Sequence, residues 1–233
     1  MLLFFRALWY NTEKSKGGSL VPSCIIFCAG DFTGLAAPVQ AQDLLIAADG
    51  GLAHLETLGL APHVILGDFD SLGYVPAKAR VFPVEKDDTD AMLAVRHGLK
   101  AGCDRFLLYG SLDGPRLDHT MANFQTLQFL ADRGAVGYLV GTRYMATVLK
   151  NGTLQFPETA QGVLSVFCMG ADAHGVSLSG LQYCLTDGTV SAGHPLGVSN
   201  HFIGTPSQIT VKDGSLLILW DRVNGFPIEV ESC

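Results

Sequence analysis

Residues 63–71 read HVILGDFDS, a short apolar run that ends in a glycine and two aspartates, Asp68 and Asp70. A run of this length bounded by turn residues predicts a strand that is buried on both faces. Phe69, between the aspartates, is expected to point into the core. Four further stretches have the same form: CIIFCAG (24–30), DLLIAADGG (43–51), ARVFPVE (79–85) and RFLLYGS (105–111).

Helical patterns separate these strands. Residues 51–58, 88–101 and 118–133 carry apolar side chains at helical spacing. Strands that alternate with helices in this way predict a doubly wound, mainly parallel α/β sheet.

The pattern changes after about residue 141. The later apolar runs are short and often alternating, and Asn151-Gly152, Asp187-Gly188 and Asp213-Gly214 resemble hairpin turns. We expect this half to be an antiparallel β-sandwich, similar to a jelly roll. The predicted organisation is an N-terminal extension (1–20), an α/β domain (21–143) and an all-β domain (144–233).

Composition narrows the possible functions. Of the 233 residues, 48% are hydrophobic and 16% are charged, which indicates a well-buried globular fold. The net charge of −7 argues against sequence-independent binding of nucleic acid. The six cysteines form no CxxC pair, and no stretch approaches the roughly 18 apolar residues of a membrane span. We therefore expect reduced thiols, a cytoplasmic location and no membrane contact.

Acidic residues of the first half cluster where the predicted strands end. Loops at the carboxyl ends of parallel strands converge on one crevice, and carboxylates gathered there repel unless a cation lies between them. Oxygen ligands without thiol or imidazole favour Mg²⁺. The alternative is turn formation or helix capping, with Asp88 and Asp118 as candidate N-caps. The clustered residues are Asp49, Asp68, Asp70, Asp87, Asp88, Asp90, Asp113 and Asp118.

Arg116 is the basic counterpart of this cluster. It lies in the turn GSLDGPRLDHT (110–120), where an arginine can bind phosphate oxygens at the start of a helix. The alternative is a surface arginine paired with Asp113 or Asp118. His119 is a weaker candidate for proton transfer. The chain has neither the GxxxxGK[ST] motif of a P-loop nor a GxGxxG motif after its first strand.

Four motifs occur in order: ADGG (48–51), GDFDS (67–71), KDDTD (86–90) and GPRLDHTMAN (114–123). Together with the all-β half, they closely resemble the thiamine pyrophosphokinase family. The resemblance implies transfer of pyrophosphate from ATP to the hydroxyethyl group of thiamine, giving thiamine diphosphate and AMP. It also implies a homodimer whose active site lies at the subunit interface.

The resemblance assigns roles to individual residues. Asp68, Asp70 and Asp90 are the implied Mg²⁺ ligands. Arg116, Asp118 and Asp49 are the implied catalytic group, with Asp49 near the phosphates. The implied nucleotide-binding residues are Asp87, Asp88, Thr89 and Asn123, and the implied thiamine-binding residues are Ser199 and Asn200 in GVSNHF (197–202).

Two positions depart from the family pattern. Pro115 stands where the family usually has a second glycine, so one backbone N–H donor is missing from the loop. His201 stands where the family usually has a glutamate, which changes the charge near the thiamine end. Two other functions stay open: a phosphatase that uses Asp68 as nucleophile, and a regulatory domain that binds nucleotide or thiamine without turnover.

Overall fold

The computed structural model describes residues 22–69, 74–77, 79–83 and 87–230. In this part of the chain, the first half contains a parallel sheet of six strands and three α-helices. The strands are β1 (Cys24–Phe27), β2 (Leu44–Ala48), β3 (Val64–Gly67), β4 (Arg80–Val81), β5 (Arg105–Tyr109) and β6 (Val136–Val140). The helices are α1 (Leu52–Leu58), α2 (Asp90–Lys100) and α3 (Leu117–Ala131), and a 3-10 helix, Asp49–Gly51, precedes α1. The predicted α/β class is confirmed.

The strand order of the parallel sheet is β4-β3-β2-β1-β5-β6. Strand β1 pairs with β2 on one side and with β5 on the other, so the direction of winding reverses between β1 and β5. In open α/β sheets, the loops that leave the carboxyl ends of the strands at such a reversal diverge to opposite faces and leave a crevice. The topology therefore places a crevice beside the ends of β1 and β5.

Helices cover both faces of the sheet. On one face, Ala94 and Val95 of α2 and Leu130 of α3 pack against alternate residues of the parallel strands. On the other face, Leu52 and Leu55 of α1 belong to a separate cluster of buried apolar residues. Because both faces are covered, the strands must be apolar throughout, as β1 shows with every residue buried.

The second half is antiparallel. Its strands are β7 (Tyr144–Phe156), β8 (Val163–Cys168), β9 (Ala173–Ser179), β10 (Leu185–Val190), β11 (Gly197–His201), β12 (Ser207–Asp221) and β13 (Ile228–Val230). Strand β12 pairs with β9 through its first part and with β8 through its second part. Val166 of β8 and Leu178 of β9 nevertheless belong to the same buried cluster. Long strands that change partners in this way are typical of the corners of a β-sandwich.

The three predicted hairpin turns are wrong. Asn151-Gly152 lies inside β7 and Asp213-Gly214 lies inside β12, where the register shifts between Val211 and Ser215. The Gly214 N–H donates to Asn151 Oδ1 at 2.9 Å across this bulge. Asp187-Gly188 lies at a similar shift inside β10. Bulges and tight hairpins both need residues that tolerate positive φ, as Asn151 (φ 47°) and Asp187 (φ 49°) show, so the two share one sequence signal.

The predicted boundary between residues 143 and 144 falls in the turn between β6 and β7. These strands pair antiparallel, with Tyr138 opposite Thr147 and Val140 opposite Met145. One hydrogen-bonded sheet therefore runs through both halves, and the division into two domains stays a prediction. The predicted extension, residues 1–20, lies outside the described residues. Within the described ranges, no helix is both long and apolar enough to cross a membrane.

Candidate active site

Backbone contacts bring together the loops that follow β1 and β5. The Cys28 N–H donates to the Tyr109 carbonyl at 2.8 Å, and the Gly30 N–H donates to the Gly110 carbonyl at 2.9 Å. A Cβ atom at Gly30 would lie 2.3 Å from the Asp113 carbonyl oxygen, and one at Gly110 would lie 2.4 Å from the Cys28 carbonyl oxygen. Only glycine allows this approach, which holds the two loops side by side at the crevice.

The loops after β2 and β3 meet beside the first pair. A Cβ atom at Gly67 would lie 3.0 Å from Asp49 Cα, so the end of β3 packs directly on Asp49. Asp49 and Phe69 adopt positive φ values of 49° and 60°, a conformation that costs energy in residues other than glycine and is frequent at functional sites. Phe69 is 3% exposed, which confirms that it points into the core. Asp68 follows Gly67, whereas Asp70 lies outside the described residues.

The start of α2 brings a third acidic segment. The Thr89 hydroxyl caps the helix by accepting the Met92 N–H at 3.2 Å. The suggested capping role of Asp88 is wrong, because Asp88 instead pairs with Arg96 of the same helix, Oδ2 to Nε at 2.8 Å. Asp90 lies in the first helical turn, where the helix dipole favours a negative charge.

Cys28 lies at the end of β1, and two of the acidic residues, Asp49 and Asp90, act on its thiol. Burial raises the pKa of the Cys28 thiol to about 12, and the negative charges of Asp90 and Asp49 add to the effect. Both carboxylates therefore lie near the same thiol, although they come from the loop after β2 and from the start of α2. This convergence supports a shared acidic crevice.

A metal ion would fit the chemistry of this crevice. The predicted ligands Asp68, Asp70 and Asp90 offer oxygen atoms alone, the donor set that Mg²⁺ prefers. Within the described ranges, which leave out Asp70, no group of three or more His, Cys, Asp and Glu side chains is arranged to hold a metal. The ligand set therefore stays a prediction.

Arg116 lies just before α3 and pairs with Asp118. Its Nε and Nη2 donate to the two Asp118 oxygens at 3.0 and 2.6 Å, and both side chains are largely exposed. These hydrogen bonds hold the pKa of Asp118 at about 2, so the carboxylate is ionised at neutral pH. Asp118 does not cap the helix as suggested, because α3 already begins at Leu117. The pairing with Asp118 is one of the alternatives raised for Arg116 from sequence.

Two hydrogen bonds fix the loop that carries Arg116, and the first of them is buried. Asn123 is 6% exposed and donates its side-chain N–H to the Ser111 carbonyl at 2.6 Å. The Asp113 carboxylate accepts the Thr142 N–H. Asp113 was grouped with the candidate ligands in the sequence, but in the structure it ties the loop after β5 to the loop after β6. Sequence could not reveal this contact, because its partner is a backbone N–H distant in the chain.

The predicted thiamine-binding pair lies in β11. Asn200 is 3% exposed, and its side chain accepts the Tyr183 and His201 N–H groups, each at 2.9 Å. Its amide also donates to the Tyr183 carbonyl at 2.7 Å. Ser199 has a φ of 58°, and its N–H donates to Ser165 Oγ at 3.1 Å. Asn200 thus fixes Tyr183 beside the exposed Ser199.

A mainly apolar groove of about 130 Å³ adjoins these residues. Aliphatic side chains and the ring of Tyr183 supply most of its wall, which suits a flat heterocycle. The lining residues are Val166, Leu178, Tyr183, Cys184, Leu185, Val190, Leu196, Gly197, Val198 and Asn200. A larger cavity of about 210 Å³, near Val136 at the amino end of β6, contains none of the predicted site residues.

Several strands of the sheet separate the acidic crevice from the groove. On the sheet, the path from β11 to β1 runs through β8, β12, β7, β6 and β5. At about 4.8 Å for each of these steps, the path is roughly 29 Å long. The structure therefore brings the acidic loops and Arg116 to one edge of the parallel sheet, and it places Ser199 and Asn200 elsewhere.

Acidic loops and an arginine at the reversal point of an open parallel sheet are expected of an enzyme that transfers a phosphoryl-type group from a nucleotide. The comparisons with known proteins are specific. The family model "Thiamin pyrophosphokinase, catalytic domain" matches residues 36–136, and "Thiamin pyrophosphokinase, vitamin B1 binding domain" matches residues 152–216. The chain belongs to the thiamin pyrophosphokinase family.

Relatives agree with this assignment. The thiamine pyrophosphokinase of Bacillus subtilis (strain 168) is 25% identical, over 76% of this chain and 86% of that protein. The crystal structure of thiamine pyrophosphokinase from Bacillus subtilis has a TM-score of 0.76 and 23% identity, and it covers 85% of this chain and 98% of its own. The corresponding structure from Geobacillus thermodenitrificans has a TM-score of 0.70 and 25% identity, with coverages of 84% and 96%.

The family and the activity predicted from the four sequence motifs are confirmed. The enzyme is a pyrophosphokinase that transfers pyrophosphate to thiamine and makes thiamine diphosphate, and enzymes of this family use ATP as co-substrate.

Proposed function

We propose that the crevice at the ends of β1 and β5 binds Mg²⁺–ATP and is where pyrophosphate is transferred to the hydroxyethyl group of thiamine. The observation that carries this proposal is the convergence of loops around the Gly30–Gly110 hydrogen bond. These loops border Asp49, Asp90 and Arg116, a combination of acidic and basic groups that suits a triphosphate and its cation.

Asp68, Asp70 and Asp90 would hold Mg²⁺, with Asp49 beside the phosphates. When bound, the ion neutralises negative charge on the phosphate oxygens. Asp87, Asp88, Thr89 and Asn123 support the nucleotide site from the start of α2 and from α3. Thr89 does so by capping α2, and Asn123 does so by holding the Ser111 carbonyl.

Arg116 and Asp118 act as a unit. The pairing orients the guanidinium of Arg116, and a guanidinium held in this way suits phosphate oxygens. Because the pKa of Asp118 is about 2, this carboxylate is a poor proton acceptor at neutral pH, and we assign it the role of orienting Arg116. The thiamine hydroxyl oxygen attacks the β-phosphorus and its proton is released to water. The bond between the β-phosphorus and the oxygen it shares with the α-phosphate breaks, and AMP leaves with that oxygen.

A second copy of the chain would complete the site. The groove beside Ser199 and Asn200 binds thiamine in this proposal, and a homodimer brings it to the acidic crevice of the partner subunit. Leu117 and Met121, one turn apart on α3 beside Arg116, are 72% and 56% exposed. Exposed apolar side chains at this place are expected of a surface that a second subunit covers. We propose a cytoplasmic homodimer with an α/β domain (21–143) and an all-β domain (144–233).

The decisive assay measures AMP release from ATP by the purified protein. We expect AMP only when thiamine and Mg²⁺ are both present, and we expect Asp68→Asn to need more Mg²⁺ for half-maximal rate. AMP formation that is equal without thiamine would exclude the proposal. Thiamine binding without any AMP would instead favour the regulatory domain raised from the sequence.

A further inference from the structure

Arg222 joins the β half to two loops at the edge of the parallel sheet. It lies in a short 3-10 helix, Arg222–Asn224, directly after β12. Its Nη1 donates to Thr33 Oγ1 at 3.0 Å and to the Gly141 carbonyl at 2.8 Å, and its Nη2 donates to the Gly34 carbonyl at 2.5 Å. Thr33 and Gly34 belong to the β1 loop (residues 28–43), and Gly141 belongs to the β6 loop (residues 141–143).

The β5 loop (residues 110–116), which ends at Arg116, is held by the same contacts. Gly141 packs so closely on Asp113 that a Cβ atom there would lie 2.5 Å from Asp113 Oδ2. That carboxylate also accepts the Thr142 N–H. The Asp113 carbonyl in turn lies against Gly30 of the β1 loop. Arg222 therefore closes a ring of contacts through the three loops that border the crevice.

The contact geometry requires an arginine. The planar guanidinium presents its N–H groups in a fixed fork, so one side chain can reach three acceptors on two loops. The backbone of Arg222 is itself anchored, since its N–H donates to the Arg143 carbonyl at 2.8 Å and its carbonyl accepts the Gly225 N–H at 2.9 Å. A lysine in this place has one ammonium on a flexible stem and cannot reproduce all three contacts.

We infer that Arg222 is a positioning residue for ATP: it holds the β1 and β6 loops, and through them the β5 loop with Arg116, in the arrangement that binds the triphosphate. This inference rests on the proposed function of the crevice. Arg222 acts from the half of the chain that the family model assigns to vitamin B1, although its matched range ends at residue 216. We nevertheless expect Arg222 to affect the binding of ATP and not the binding of thiamine.

The test compares Arg222→Ala and Arg222→Lys with the unaltered protein. We expect Arg222→Ala to raise KM for ATP about tenfold or more, the size of one lost charged hydrogen bond, while KM for thiamine changes about twofold or less. The KM for ATP of Arg222→Lys should lie between those of the unaltered protein and Arg222→Ala. Millimolar guanidinium should restore part of the ATP affinity of Arg222→Ala. Calorimetric binding of a nonhydrolysable ATP analogue should show the same order.

Arg105→Ala is the matched control. Arg105 also links the two halves, with Nη1 3.7 Å from Glu229 Oε1 and its guanidinium over the rings of Tyr138 and Phe226, but it lies at the amino end of β5. It should lower stability and leave KM for ATP unchanged.

Three results would overturn the inference. The first is an unchanged KM for ATP in Arg222→Ala, provided that this variant folds. If it does not fold, an unchanged KM for ATP in Arg222→Lys has the same meaning. Another is an equal rise in both KM values, and the third is the same rise in Arg105→Ala. If the unaltered protein makes no thiamine-dependent AMP, the proposed function fails separately, and analogue binding then decides the role of Arg222.

Discussion

Replacing Asn200 with alanine tests whether this buried side chain stabilises the β half and keeps the thiamine groove in shape. Asn200 is almost fully buried, and its amide makes three hydrogen bonds to backbone groups of Tyr183 and His201. It therefore holds Tyr183, whose ring lines the groove. We expect Asn200→Ala to lower stability and to raise KM for thiamine without raising KM for ATP.

The expected loss of stability follows from the number of bonds. At about 1 kcal/mol for each hydrogen bond, the three bonds together contribute about 3 kcal/mol. For a chain of this length, that loss lowers the midpoint of thermal unfolding by about 6–12 °C.

Asn224→Ala is the matched control. Asn224 makes the same pair of bonds to Gln161, accepting its N–H at 2.9 Å and donating to its carbonyl at 2.8 Å, but at an exposed position. Water can replace these bonds, so we expect a loss of about 1 kcal/mol or less. Urea and thermal unfolding measure stability, and steady-state kinetics measure both KM values. Equal stability losses in Asn200→Ala and Asn224→Ala, or an unchanged KM for thiamine, would refute the reasoning.

Two further predictions concern the loop that carries Arg116. Asn123→Ala leaves the Ser111 carbonyl without its side-chain donor, and urea unfolding should show a stability loss of about 1–3 kcal/mol. Thr126→Val removes a hydrogen bond within the same helix and should lower stability by less. A larger loss in Thr126→Val would contradict the role of Asn123 in holding the loop. The pKa of Asp118 is lowered from 3.8 to about 2, so any stabilisation by its pair with Arg116 is present above the ordinary pKa and is lost as pH falls toward 2. A carboxyl NMR titration should show this midpoint, and Arg116→Gln should return it toward 3.8; a midpoint that Arg116→Gln leaves unchanged would rule out the pair as its cause.

The sequence predicted the parallel half because its signals are local. Short apolar runs such as residues 24–27 and 64–66 are typical of strands in a parallel sheet, and Asp68 follows the second run after one glycine. The bulges of the β half were missed because Asn151-Gly152 tolerates positive φ equally well in a turn and in a bulge. The contacts of Arg222 could not be predicted from the sequence for a different reason. Arg222 is 189 positions from Thr33, and no motif surrounds it.

The two departures from the family pattern look less damaging in the structure than in the sequence. Pro115 offers no N–H, but the β5 loop keeps its shape through the Asn123–Ser111, Asp113–Thr142 and Gly30–Gly110 bonds, which involve other residues. His201 contributes its backbone N–H to Asn200, and its backbone pairs with Val163, interactions that any residue except proline can make. Their effects should therefore be confined to direct contacts with phosphate at position 115 and to charge beside thiamine at position 201. Neither change disturbs the framework that holds Arg116 or Tyr183.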